Sequence, residues 1–147
     1  MKKLILLSVL ALMMSCTDDA EDTAPVFENE VEVISPKLKA SLSFMREEEK
    51  LARDVYLKLF EQWQIDIFQN IAQSEQKHMD AVRSLIEQFG LEDPIDQDVV
   101  GVFQNEELSQ LYLDLMAQGS QSLIEAYRVG ALIEEVDIQD LDVALST

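Results

Sequence analysis

Residues 36–63 read PKLKASLSFMREEEKLARDVYLKLFEQW, a run that begins with Pro and has no Gly or Pro after it. Ser35 precedes the run, and Ser followed by Pro is typical of a helix N-terminus. Steps of four and three residues place one carboxylate, Glu49, among apolar side chains on a single face: Leu38, Leu42, Met45, Ala52, Tyr56, Leu59 and Trp63. The segment predicts a long amphipathic helix, helix A, whose buried stripe carries one acid.

A second helix, helix B, is predicted for residues 66–89, with Gly90 as its C-terminal stop. The same stepping gives a stripe in which two polar residues stand in the middle: Ile71, Glu75, His78, Val82, Leu85 and Phe89. Only a few residues separate helix B from Trp63, so we expect helices A and B to pack as antiparallel neighbours.

Residues 90–105 contain Pro94, Gly101 and many acids and predict a loop, followed by a short helix over residues 106–117. A third main helix, helix C, is predicted to start at Gly119 and Ser120 and to end at about residue 137. Its predicted stripe is Leu123, Tyr127, Gly130, Glu134, Asp137 and Leu141. The connection is too long for a bundle turn and indicates a crossover. The expected fold is therefore all-α, an up-down helical bundle of ferritin-like topology spanning residues 36–147.

The composition excludes several classes of function. The 147 residues include 29 acids against 11 Lys and Arg, a formal charge of -18, which argues against a nucleic-acid binder. The length suits one domain, and a single Cys excludes an internal disulfide framework. Packing or a metal must hold the core together.

The N-terminus carries a pattern typical of export. Residues 1–16 read MKKLILLSVLALMMSC, with a basic start and an apolar stretch too short to span a bilayer. They resemble a bacterial lipoprotein signal that is cleaved before a lipidated Cys16; an ordinary secretory leader is the alternative. Residues 17–35 lack Lys and Arg and predict an acidic tether. Its start resembles the signal that sends some lipoproteins to the cell surface, although a merely soluble linker fits equally. We expect a lipid-anchored protein of the bacterial envelope, at the outer membrane or cell surface in a diderm.

The acids on the two stripes are the candidate functional residues. A buried carboxylate needs hydrogen bonds, a cation or a proton, and neither stripe contains Lys or Arg to pair with Glu49 and Glu75. Glu75 and His78 stand three residues apart on one helix, so both can point at one object. Carboxylates with imidazole favour iron, zinc or copper. The pattern predicts a metal site; a solvent-facing Glu-His pair and a core imidazole bonded to Glu75 are the alternatives.

Three runs carry a resemblance to a known family: FMREEEKLARDVY at 44–56, AQSEQKHMDAV at 72–82 and GALIEEVDI at 130–138. The first two resemble half of a ferritin or rubrerythrin di-iron site. More closely, the chain is similar, from about residue 41 to residue 145, to the ferritin-like family catalogued as domain of unknown function 2202.

The resemblance implies roles for particular residues. Glu49 would be a terminal ligand of the first metal, Glu75 the bridge between metals, and His78 the nitrogen ligand. Glu134 would reach the second metal from helix C, and Tyr56 would be a hydrogen-bond donor or redox neighbour. The metal would be iron, one or two ions, with manganese or zinc as alternatives. Residues that compete for these roles are Glu48 in place of Glu49, Glu125 and Glu135 in place of Glu134, and Asp137 as an extra ligand.

Members of that family continue into a fourth helix that carries a further His, whereas this chain stops at Thr147. Three explanations compete: a truncated or frameshifted gene, a helix supplied by another copy in a homo-oligomer, or an offshoot that has lost the second metal. The resemblance implies an exported iron protein and leaves open ferrous oxidation and reduction of oxygen or peroxide. The alternative is a non-catalytic acidic lipoprotein, a binding module or relic that holds one metal or none.

Overall fold

The computed structural model describes residues 34–145, which form four α-helices and no strand. They are α1 (Pro36–Trp63), α2 (Asp66–Gln88), α3 (Glu106–Gly119) and α4 (Leu123–Leu145). The prediction of an all-α chain is confirmed over this range. The predicted signal peptide, Cys16 and the tether up to residue 33 lie outside the described residues. Among the helices described, none has the length and apolar character that crossing a membrane requires.

The predicted limits of helix A are confirmed, and its ends show why. The Leu38 backbone N–H donates to Oγ of Ser35 at 3.1 Å, which satisfies one of the free donors at the helix start. At the other end Gln64 adopts the left-handed conformation with φ 54°, and its N–H donates to the Phe60 carbonyl. The helix therefore starts at a capping Ser and stops at a left-handed residue.

Helices α1 and α2 pack antiparallel, as predicted. The Tyr56 ring of α1 stacks on Phe68 near the start of α2, at 6.4 Å between ring centroids. Further back along α1, Arg46 donates to the carbonyl of Met79, in the second half of α2. The contact with the lower residue number on α1 is thus the one with the higher residue number on α2, so the two helices run in opposite directions. This pairing brings the middle of both helices, where Glu49, Glu75 and His78 stand, to the same level.

The chain between α2 and α4 travels the length of α1. We call residues 89–105 the crossover segment; it contacts the middle of α1, from Arg46 to Asp54, and leads into α3. At the far end of α3, the Trp63 indole N–H donates to the Gly119 carbonyl at 3.1 Å. Helix α4 starts there and runs back along α1, so that Gly130 lies at Tyr56. Helices α2 and α4 therefore run in the same direction, and both pack on α1.

The predicted start of helix C at Gly119 and Ser120 is wrong by a few residues. Gly119 is the last residue of α3, and a Cβ built on it would lie 2.8 Å from Cδ2 of Leu59, so α3 approaches α1 closely at this glycine. Helix α4 begins at Leu123, with Ser122 Oγ accepting from the Glu125 N–H at 3.2 Å. The chain offers two Ser in this turn, and the second is the one that caps. Helix α4 also continues to Leu145, beyond the predicted end at residue 137.

The predicted stripes of helices B and C are rotated relative to the buried faces. The buried residues of α2 are Phe68, Ala72, Glu75, Met79, Val82 and Ile86, whereas Leu85 is exposed and the His78 side chain is 54% exposed. On α4 the buried residues include Ala126, Val129, Gly130 and Ile133, whereas Tyr127 is 48% exposed. Among the helices of the described range, α2 packs on α1, and its contact with α4 is the ring contact between Phe68 and Tyr127. A helix that packs on one neighbouring helix buries a narrower stripe of its surface than a helix surrounded by others in a bundle.

Candidate metal centre

Helices α1 and α2 bring Glu49, Glu75 and His78 together. Nδ1 of His78 lies 3.0 Å from Oε2 of Glu75 and 3.3 Å from Oε2 of Glu49. One ligand atom from each of the three residues lies within 4.8 Å of the other two. The part of the chain that the structure describes shows this one group of three or more potential ligands at such spacing. Three predicted ligands are therefore neighbours in the fold.

Local structure explains the convergence. Glu75 and His78 stand three positions apart on α2, which places them next to each other on one helix face. The antiparallel α1 supplies Glu49 from the opposite side. Glu75 is 4% exposed, the Glu49 side chain is 19% exposed, and His78 faces solvent for half its surface. The group is thus a partly buried carboxylate pair with an imidazole at its open edge. His78 is bonded to Glu75, as the core-imidazole alternative expects, but it lies at the surface and not in the core.

The two carboxylates set the electrostatics of the group. Partial burial acts to lower the pKa of the His78 imidazole, but the charges of Glu75 and Glu49 and their hydrogen bonds outweigh it and raise that pKa above its ordinary value. The carboxylates therefore favour a cation at this position. A metal ion binds the neutral imidazole, so binding to the protonated form of His78 would release a proton.

Tyr56 and Glu134 face each other next to this group. The Tyr56 hydroxyl lies 2.8 Å from Oε1 of Glu134 and 3.1 Å from the Gly130 carbonyl, both on α4. A Cβ on Gly130 would lie 3.2 Å from that hydroxyl, tighter than most side-chain contacts, so the glycine permits the close approach. Tyr56 is 1% exposed. The predicted hydrogen-bond donor thus orients the predicted carboxylate of α4.

A cavity of about 360 Å³ lies between α2 and α4 and joins these residues. Its polar wall carries Tyr56, Glu75, His78 and Glu134, and the rest of its lining is Ile67, Phe68, Ile71, Ser74, Tyr127, Gly130 and Ala131. Glu134 therefore shares a cavity with two predicted ligands but is not part of the three-residue group. The donor set of two carboxylates and one imidazole, with a third carboxylate across the cavity, fits a divalent transition metal.

The competing residues lie elsewhere. Glu48 is 8% exposed and lines an aliphatic groove on another side of α1, formed with Leu51 and with residues of α3 and α4. It is therefore buried, not solvated, and does not replace Glu49. Glu125 is held by Gln118 and Arg128, and Glu135 is exposed. The side chain of Asp137 lies outside the described residues.

Sequence reasoning missed a cluster of buried charges on α1, which we call the α1 charge cluster: Arg46, Glu47, Lys50, Arg53 and Asp54. Asp54 is fully buried and accepts hydrogen bonds from Lys50, Arg53 and the Gly101 N–H. Glu47 accepts from the N–H groups of Gln104 and Asn105, just before α3. The cluster fixes the crossover segment to α1. The detectable signal is charge at helical spacing combined with an acidic loop, Asp93 to Asp98, able to pair with the arginines.

Comparison with known proteins agrees with the resemblance. The family model described as "Uncharacterized protein domain (DUF2202)" matches residues 39–147. Uncharacterized protein MJ0754 of Methanocaldococcus jannaschii is 51% identical over 109 residues, which are 74% of this chain and 59% of that protein. The crystal structure of hypothetical protein MJ0754 superposes with a TM-score of 0.74 over 74% of this chain and 62% of that chain, again at 51% identity. The chain thus spans about three fifths of that relative's length, and neither description names an activity.

Proposed function

The chain belongs to the family described as an uncharacterized protein domain (DUF2202), and we propose that it is an exported ferritin-like metal protein that binds iron through Glu49, Glu75 and His78. One observation carries the proposal: ligand atoms of these three residues, from two antiparallel helices, converge within 4.8 Å. Two carboxylates at such a distance repel each other unless a cation lies between them. A divalent ion satisfies both and takes the imidazole as well.

The donor types favour iron over lighter cations. An all-oxygen site suits magnesium, calcium or manganese, whereas the nitrogen of His78 shifts the preference toward iron, zinc or copper. Glu134 would serve a second ion across the cavity, with Glu75 between the two positions. The hydrogen bond from Tyr56 supports this role, because it holds the Glu134 carboxylate toward the cavity.

The helix directions support the ferritin-like assignment. Antiparallel α1 and α2 are followed by a long crossover, and α4 runs parallel to α2. A Glu-x-x-His pair on one helix of such a bundle, with a Glu on its neighbour, is the ligand pattern of di-iron carboxylate proteins. The antiparallel pairing sets Glu49 opposite the Glu75–His78 pair.

The protein's own groups determine what the centre does. Bound iron would supply one-electron chemistry toward oxygen or peroxide, with ferrous oxidation or peroxide reduction as the reaction. Buried Glu75 offers a fixed, poorly hydrated ligand, whereas half-exposed His78 lies at the edge that solvent reaches. Tyr56 holds Glu134 in place, and the Ile67, Phe68 and Ile71 side chains form an apolar wall of the cavity.

Anaerobic Fe(II) titration of the chain lacking its leader tests the proposal. The wild-type protein should bind iron tightly, and the Glu75→Ala, His78→Ala double variant should lose that binding. Glu87→Ala, which removes an exposed acid of the same helix, is the matched control and should bind as the wild type does. Equal iron binding by the double variant and the wild type would overturn the assignment.

A non-catalytic metal-binding module is the second candidate, and the formal charge of -18 favours it because an acidic chain concentrates cations without turnover. Oxygen or peroxide consumption by the iron-loaded protein separates the two. Iron that stays bound while neither oxidant is consumed would support the module.

Export and assembly are further parts of the proposal. The pattern of residues 1–16 supports lipidation of Cys16 and an envelope location, and a second copy that covers the cavity would make the protein a homo-oligomer. Mass spectrometry of the protein purified from bacterial membranes should show a diacylglyceryl group on Cys16. An unmodified thiol, or a retained leader, would contradict the lipid anchor.

A further inference from the structure

Two buried arginines of α1 contact α2 beside the candidate metal ligands. Arg46 and Arg53 stand one helical turn before and after Glu49 and are 5% and 6% exposed. Nη1 of Arg46 donates to the carbonyl of Met79 at 3.0 Å, the residue after His78. Nη1 of Arg53 donates to Oε1 of Gln76 at 2.7 Å, the residue after Glu75. Each ligand of α2 therefore has a neighbour that is fixed to α1.

The same arginines bind the crossover segment with their remaining donors. Arg46 makes a forked pair with Asp93, at 3.2 Å from Nε and 3.1 Å from Nη2. Arg53 pairs with both oxygens of Asp98, at 2.8 and 2.5 Å, while Asp54 accepts from its Nε and Nη2. Each guanidinium thus joins α1, α2 and the crossover segment in one set of hydrogen bonds.

We propose that Arg46 and Arg53 are positioning residues of the metal centre, and that they couple metal binding to the order of the crossover segment. The inference rests on the proposed function, because it assumes that Glu49, Glu75 and His78 hold a metal. The hydrogen bonds from Arg46 and Arg53 to α2 fix that helix against α1 on both sides of Glu49. They thereby set the distance between the ligand of α1 and the two ligands of α2.

Helix geometry explains why this matters. A slide of α2 by one residue moves its side chains about 1.5 Å along the axis and turns them by about 100°. Either change would take Glu75 or His78 away from Glu49. Arg suits the task because its planar fork binds a carboxylate through two bonds while another donor reaches α2, whereas Lys offers a single point charge.

Coupling is reciprocal by thermodynamic linkage. If an ordered crossover segment favours metal binding, then bound metal favours the ordered segment by the same factor. The structure supplies the reporters of that order: the backbone N–H groups of Gly101, Gln104 and Asn105 donate to buried carboxylates of α1.

Co²⁺ titration of the full chain, followed by visible absorption, tests the positioning role. Arg46→Lys and Arg53→Lys keep the charge and should weaken Co²⁺ binding about tenfold and shift the absorption band, as loss of residues that orient ligands does. Arg83→Lys, at an exposed ion pair of α2, is the matched control and should change neither. A purely structural role would lower stability and leave affinity and band unchanged, which would overturn the inference.

A second pair of variants tests the same role without changing either arginine, so the result does not depend on whether the arginine variants fold. Asp98→Asn and Asp96→Asn remove the same charge from the same segment, but Asp98 pairs with Arg53 whereas Asp96 is an exposed acid. Co²⁺ affinity should fall about threefold more in Asp98→Asn than in Asp96→Asn, a size typical of a partly exposed ion pair. An equal loss of Co²⁺ affinity in both variants would mean that only the net charge of the segment matters, which would overturn the inference.

Hydrogen exchange of the wild-type protein tests the coupling directly. Co²⁺ should slow amide exchange at Gly101, Gln104 and Asn105, as well as in α2. Protection confined to α2 would overturn the coupling while leaving the metal site intact. A wild-type chain that binds no Co²⁺ and no Fe²⁺ would overturn the proposed function and this inference with it.

Discussion

Replacing Asp54 by Asn should destabilise the domain by about 3 kcal/mol. The Asp54 carboxylate is fully buried and accepts from Lys50 Nζ at 2.5 Å, from Arg53 Nη2 at 2.7 Å and from the Gly101 N–H at 2.9 Å. Asn keeps the shape and one acceptor, so the loss arises mainly from charge. Lys50 would retain the Val99 carbonyl at 2.7 Å and the Phe103 ring at 4.5 Å, neither of which is anionic.

The magnitude follows from the cost of stranding a buried cation. Removing one partner of a buried pair typically costs about 3–5 kcal/mol. Arg53 keeps Asp98, so the lower end applies. Urea unfolding followed by circular dichroism should show this loss in the free energy of unfolding. Thermal unfolding should show a fall in Tm of about 10 °C. Asp114→Asn, at an exposed acid of α3, should stay within about 0.5 kcal/mol of the wild type. An equally small effect of Asp54→Asn would refute the view that buried charge holds the crossover segment.

Three further changes test the packing and the ion pairs. Tyr56→Phe removes a buried hydroxyl that lies within hydrogen-bond distance of two acceptors on α4, so thermal unfolding should show a loss of about 1 kcal/mol; no measurable loss would mean that water bonds replace it fully. Gly119→Ala brings a Cβ to 2.8 Å from Cδ2 of Leu59 and should destabilise by about 1–2 kcal/mol, whereas a gain in Tm would show that α3 can move away. Hydrogen bonding and charge attraction from Arg53 lower the pKa of Asp98. The folded pKa lies below the unfolded value, so this pair stabilises at neutral pH and its contribution is lost as pH falls through the folded pKa. The stability difference between wild type and Asp98→Asn should therefore shrink between about pH 7 and about pH 3; a difference that persists in acid would contradict the assignment.

The helices with local end signals could be predicted from the sequence. Ser35, Pro36 and Gly90 act through their own backbone preferences, so the limits of α1 and α2 follow from nearby residues. The convergence of Glu49 with Glu75 and His78 was also predictable, since a short connection enforces antiparallel packing and two interrupted stripes then meet.

Features that depend on distant partners could not be predicted in this way. The burial of Lys50 and Asp54 depends on a loop 47 to 49 residues further along the chain, and an isolated helix with those residues would expose them. The start of α4 depends on Gly119, which ends α3 against Leu59, so that Ser122 caps the next helix. The exposure of His78 reflects how many helices cover α2, which no local pattern encodes.

Anomalous diffraction from crystals of the iron-loaded chain, recorded at the iron edge, tests the central claim most directly. An iron peak should lie within about 2–2.3 Å of an imidazole nitrogen of His78 and of carboxylate oxygens of Glu49 and Glu75, the range of metal–ligand bonds. A second peak toward Glu134 would support a two-metal centre. Iron found only at other acids, or no iron peak between these three residues, would contradict the account.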